Sequence, residues 1–84
     1  MEAQKGKHMA TLTPVDSSMI QAVGYDPETH TLEVLFNSGR TYGYEDVPLD
    51  VYEALMAADS KGGFMRSEII GVYSDYPISR RRRR

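Results

Sequence analysis

Tyr42 and Tyr44 flank Gly43, so on an extended chain their two phenol rings leave the same face. Paired rings on a sheet can stack unpaired bases, and they serve equally well as anchors of a protein interface. In the body of the chain, Arg40 and Arg66 are the cations placed to flank that pair and meet phosphates. Asp16-Ser17-Ser18 is a second polar group, whose short side chains either bond nearby backbone to fix a turn or present two hydroxyls to a ligand. The candidate binding residues are therefore Ser17, Ser18, Arg40, Tyr42, Tyr44 and Arg66.

Catalytic equipment is sparse. There is no cysteine, which excludes a thiol nucleophile, a disulfide framework and a cysteine-held zinc. His30 has no second histidine near it in sequence, and it falls where the Asp26-Pro27-Glu28-Thr29 turn calls for a left-handed residue, a conformation histidine tolerates. Glu45, Asp46 and Asp50 could converge as acid and base, but carboxylates at a helix start more simply complement its positive end. No glycine loop has phosphate-cradling spacing. The expectation is a protein with no enzymatic activity, no cofactor, no metal site and no small-molecule substrate.

The elements that carry the tyrosines decide what they do. Residues 19–25 read as a strand, with Ile20, Ala22 and Gly24 on one face and Met19, Gln21, Val23 and Tyr25 on the other. Residues 31–37 alternate, turning Leu32, Val34 and Phe36 to a core. If the next loop is Asn37-Ser38-Gly39, with Gly39 left-handed in a bulge, Val34 opposes Tyr42, Leu32 opposes Tyr44 and both tyrosines join the core face. If the loop is Ser38-Gly39 alone, Leu35 opposes Tyr42, Glu33 opposes Tyr44 and both rings lie on the wetter face. Serine is a poor first residue for the two-residue turn, so the bulged loop is favoured.

Residues 48–61 predict one long helix. Pro48 suits its first position, Asp50 and Glu53 complement its amino end, Val47, Val51, Leu55 and Ala58 make an apolar stripe, and Gly62 supplies a stop. Further on, Met65, Ile69 and Tyr73 recur four apart, which predicts a short second helix or turn that Pro77 bars from continuing. The fold class is α+β: a three-stranded antiparallel meander followed by one long helix packed on the sheet and a short second helix.

Length and charge bound the rest. A chain of 84 residues holds one domain near the lower limit for an unstapled core. Residues 1–14 read as a flexible arm, 15–78 as the domain and 79–84 as a disordered arginine tail, and the His8-Met9 junction is compatible with a vector-derived segment ahead of a natural start at Met9. Between Met9 and Ser79 three basic residues face eleven acidic ones, a net of −8, while Arg80 to Arg84 add +5. No apolar run approaches the roughly 20 residues that span a bilayer, so no membrane partner is expected and a cytoplasmic setting is the default.

Taken in order, Val15-Asp16-Ser17-Ser18, Ile20, Val23-Gly24-Tyr25-Asp26, Leu32 to Phe36, Gly39, Tyr42-Gly43-Tyr44, Val47-Pro48, Val51-Tyr52, Leu55, Ala58 and Ser60 resemble the KTSC family, a small domain known from the carboxyl end of some lysyl-tRNA synthetases. Most of 15–73 is covered. The resemblance implies a compact α+β domain, found alone or appended to larger proteins, with no catalytic activity and with a suggestion of RNA binding. After Ser60 the family tends to show an aromatic followed by Asn, whereas this chain reads Phe64-Met65-Arg66, so any role of that Asn is absent.

Surplus tyrosines and sparse catalytic groups point to a binding module for an unidentified protein partner or a second copy of the chain. The alternative is RNA, either tRNA or single-stranded, held through Tyr42, Tyr44 and the flanking arginines. A pocket beside Ser17, Ser18 and Tyr44 is the remaining reading.

Overall fold

The computed structural model describes residues 11–78. The arginine tail expected over 79–84 lies outside them, as does all but 11–14 of the arm expected over 1–14. The sheet is larger than the three-strand expectation. Five strands, β1 (Thr13–Pro14), β2 (Ile20–Asp26), β3 (Thr31–Phe36), β4 (Thr41–Tyr44) and β5 (Asp75–Ile78), lie in chain order, each antiparallel to the next. The lead-in before Val15 is thus an edge strand, and the segment around Pro77 returns as the opposite edge.

Turn chemistry follows the sequence closely. Asp26 Oδ1 accepts from the Glu28 N–H at 3.0 Å, and His30 takes the left-handed conformation at φ 59°. At the next hairpin the Phe36 N–H donates to the Arg40 carbonyl at 2.9 Å, the Gly39 N–H donates to the Phe36 carbonyl at 2.9 Å, and Gly39 has φ 97°. This is the three-residue loop with a left-handed glycine.

One face assignment changes. The register shifts between Ile20, opposite Phe36, and Ala22, opposite Leu35, so β2 carries an extra residue there. Beyond the shift the pleat is inverted relative to simple alternation. Ile20 and Val23 both point into the core at zero exposure, while Ala22 and Gly24 share the outer face with Glu33 and Gly43.

The expected long helix is two. Helix α1 (Leu49–Ala57) starts after Pro48, which stands at the N-cap with ψ 151° and not at the first helical position. It ends because Ala58 is extended, at φ −69° and ψ 139°, and because Ser60 caps a new helix by accepting from the Gly63 N–H at 3.2 Å. Asp59 and Ser60 favour caps over helix interiors, so the break has a local cause. Helix α2 (Lys61–Phe64) therefore contains Gly62, the residue expected to stop α1, and runs on into a π-helical turn, Met65–Ile69. In that turn the Ile70 N–H reaches back five residues to the Met65 carbonyl at 2.7 Å.

All helical segments pack on one face of the sheet. Ile20, Val23, Leu32, Val34 and Tyr44 meet Val47, Leu55, Met65 and Ile69 in a continuous core. Each fully buried Leu, Ile or Met contributes about 1.5 to 3 kcal/mol relative to exposure. The Tyr25 hydroxyl donates to the Val47 carbonyl at 2.5 Å, and its ring stacks on Tyr52 at 4.9 Å, which fixes α1 to β2.

Candidate functional site

The register settles where the tyrosine pair points. Val34 lies opposite Tyr42 and Leu32 opposite Tyr44, so both rings share the helix-covered face. Tyr44 is 2% exposed, and burial, followed by the nearby Asp75 and Tyr42, pushes its phenol up to about 12. Tyr42 is half-buried and meets Phe36 edge to face at 6.1 Å. A ring seated in the core cannot stack a base, so the pair is no exposed platform. Arg40 sits exposed at the hairpin tip, where its backbone N–H donates to Ser38 Oγ at 3.4 Å.

Gly43 owes its place to the outer face. A Cβ there would lie 2.6 Å from Tyr76 Cζ and 3.0 Å from Ile78 Cδ1, so the Tyr76 ring lies directly over the glycine. Burial, then the carboxylate of Glu33, raise the Tyr76 phenol, while a hydrogen bond with Thr31 pulls the other way and Glu45 adds a smaller upward push.

Ser17, Ser18 and Arg66 come together elsewhere, along an open groove of about 440 Å³ between the β1–β2 connection and α2. Asp16, Ser17, Ser18 and Met19 form one wall; Asp59, Ser60 and Lys61 form the other, over Gly62 and Gly63, with Arg66 at the π-helical turn. Arg40, Tyr42 and Tyr44 are not among these lining residues. Ser17 is occupied, its Oγ accepting from the Met19 and Ile20 N–H groups at 3.1 and 3.2 Å, which is the turn role weighed from sequence. Asn37 ties this wall to the hairpin, donating from its backbone to the Met19 carbonyl at 2.9 Å and from Nδ2 to the Ser17 carbonyl at 3.2 Å.

The groove carries both signs of charge with no ion pair between them among the described residues. Arg66 Nη1 donates to the Met19 thioether at 3.3 Å, a weak acceptor, and Lys61 Nζ donates to the Ala58 carbonyl at 2.9 Å. Among the described residues neither cation has a carboxylate partner, although Asp16 and Asp59 line the same groove. Asp59, Ser60, Lys61, Gly62 and Gly63 were not legible as site residues, because a continuous helix over 48–61 hides the break that brings them to the groove. The usable signal was Asp59-Ser60 ahead of two glycines, a cap followed by poor helix formers.

The KTSC domain model matches residues 16–73. The chain belongs to the KTSC domain family. A KTSC domain protein of Yersinia pestis, known from a crystal structure, superposes with a TM-score of 0.82 at 37% identity, covering 84% of this chain and 100% of that one. A protein of Tsukamurella paurometabola is 46% identical over 54 residues, which span 64% of this chain and 81% of the relative. A lysine–tRNA ligase of Nostoc is 43% identical over 64 residues, 76% of this chain but 11% of the ligase, so this KTSC domain matches a small part of that enzyme. Among the described residues no helix is long and apolar enough to cross a membrane, and no three His, Cys, Asp or Glu side chains are grouped to hold a metal ion.

Proposed function

We propose that this KTSC domain is a non-catalytic module that binds a protein chain through the groove between the β1–β2 connection and α2. The observation that carries the reading is the pair of cations, Lys61 and Arg66, facing into a groove that also holds Asp16 and Asp59, with no ion pair among them. Charged side chains that line a concavity without an ion-pair partner are what a binding site can present before its ligand arrives. The frame here is the Ser17 turn, the Asn37 tether and the Ser60 cap.

RNA is the second reading, favoured by kinship with lysine–tRNA ligases. It has lost its tyrosine platform, and a body of net charge −8 repels a polyanion at long range. What remains for RNA is Arg40, Arg66 and the five terminal arginines.

A photo-crosslinking residue placed at Ser18, with a control at exposed Glu53 on α1, tests both readings in cells. The expected result is a protein adduct specific to position 18 and lost in Arg66→Gln. RNA adducts at position 18 that persist when Arg80 to Arg84 are replaced by Ser would transfer the function to RNA, and no adduct distinct from the control would remove the groove as the binding surface.

A further inference from the structure

The groove has a chemical preference that can be read from its charges, and the inference rests on the groove being the binding surface. Its two carboxylates and two cations sum to no formal charge, set on opposing walls and at the π-helical turn. A phosphate group would meet Lys61 and Arg66 but would also face Asp16 and Asp59 inside an acidic body. A simple cation would meet the reverse problem. A ligand carrying a carboxylate and an ammonium a few bonds apart satisfies both sets, and a planar guanidinium matches a carboxylate in particular. A cavity of about 440 Å³ lies within the range of small-ligand sites and has room for more than one residue of peptide.

Two local features keep the groove in this form. The π-helical turn places Arg66 outward while Met65 and Ile69 stay buried, and such turns recur at functional sites. Gly62 lets α2 approach the Met19 side chain so closely that a Cβ would lie 3.1 Å from its sulfur, the atom on which Arg66 rests. A carboxylate ligand would compete with the Met19 thioether for Arg66. A thioether gives up a guanidinium readily, since a carboxylate forms the stronger, charge-assisted bond.

We infer that the groove binds a short peptide through its free termini, with its carboxylate on Arg66 and Lys61 and its ammonium on Asp16 and Asp59. The decisive experiment titrates the isotope-labelled full chain, followed by amide resonances, with the dipeptide Ala-Ala, its N-acetyl and C-amide forms, free alanine and potassium phosphate. Saturable shifts at Ser18, Lys61 and Gly62 are expected with Ala-Ala, weakened about tenfold by capping either terminus and by Arg66→Gln or Asp59→Asn. Saturation by the dipeptide with little effect of alanine supports the inference, and alanine binding as tightly as the dipeptide would overturn it. Phosphate binding as tightly as the dipeptide would overturn it. So would the lack of any saturable shift with the dipeptide, or an Arg66→Gln variant with an unaltered core spectrum and unaltered affinity. A protein crosslink at Ser18 combined with a null titration would leave the groove as the binding surface and remove only the zwitterion.

Discussion

Tyr44 shows how one side chain changes role when its surroundings are known. A phenol with this spacing is a candidate for stacking, but one at 2% exposure in the core is a structural group whose proton the fold retains. Its pKa rises from 10.0 to about 12 on folding. Below the unfolded value both states keep the proton and the stability is fully present. As pH climbs through the folded value the unfolded chain has already ionised, and that stability is lost. Tyr25 and Tyr76 shift in the same direction, so they share the loss. In Tyr44→Phe the fall in unfolding free energy between about pH 8 and about pH 12 should shrink by on the order of 2 kcal/mol, since one unit is worth about 1.4 kcal/mol. Urea titrations at the two pH values check this, and an unchanged fall would take Tyr44 out of the alkaline account.

The elements depend on two glycines of the outer face in different ways. At Gly24 a Cβ would meet the Thr11 carbonyl oxygen at 2.6 Å, which is backbone, whereas at Gly43 it would meet the far end of the Tyr76 ring at 2.6 Å. A ring end can swing aside by side-chain rotation, whereas relieving the Gly24 contact means shifting the backbone just ahead of β1. Gly24→Ala should therefore cost more than Gly43→Ala, with both in the range of about 1 to 3 kcal/mol. Thermal denaturation ranks them, and adding Tyr76→Ala should restore part of the loss in the Gly43 variant and none in the Gly24 variant. The same elements show where sequence reading works. Asn37-Ser38-Gly39 was enough to favour the observed register, because serine is a poor first residue for the two-residue turn whereas Gly39 suits the left-handed end of the three-residue loop. Three features were not legible. The β2 bulge costs one residue of alternation that apolar groups on both faces conceal. The α1–α2 break lies in a capping interaction three residues long, from Ser60 to Gly63. Strand β5 is four residues with a proline, and it exists through its pairing with β4. Of the groove, the Asp16-Ser17-Ser18 wall and Arg66 were readable one by one, but the juxtaposition was not, since tertiary packing alone joins them.

At the scale of the whole molecule, β1 and β5 are the edges of the described five-stranded sheet, the places where a strand of another copy could add. One edge, β1, is two residues long. The other, β5, spans Asp75–Ile78, long enough to template a partner strand. The Glu45 N–H donates to the Ser74 carbonyl at 2.9 Å, and antiparallel alternation from that bond turns Tyr76 and Ile78 toward β4, leaving Asp75 and Pro77 facing outward. Pro77 has no N–H to offer there, and Asp75 adds a charge to the same edge, so the sheet is blunted on both sides. Replacing Pro77 with Thr restores an outward donor on a β-favouring residue without disturbing the β4 pairing. Sedimentation velocity from about 10 μM to about 1 mM should give a constant coefficient for the native chain and a rising one for Pro77→Thr, because one added edge donor turns the four-residue strand into a template. Equal association of the two chains would mean that some surface other than this edge brings copies together, and that Pro77 does not guard the sheet.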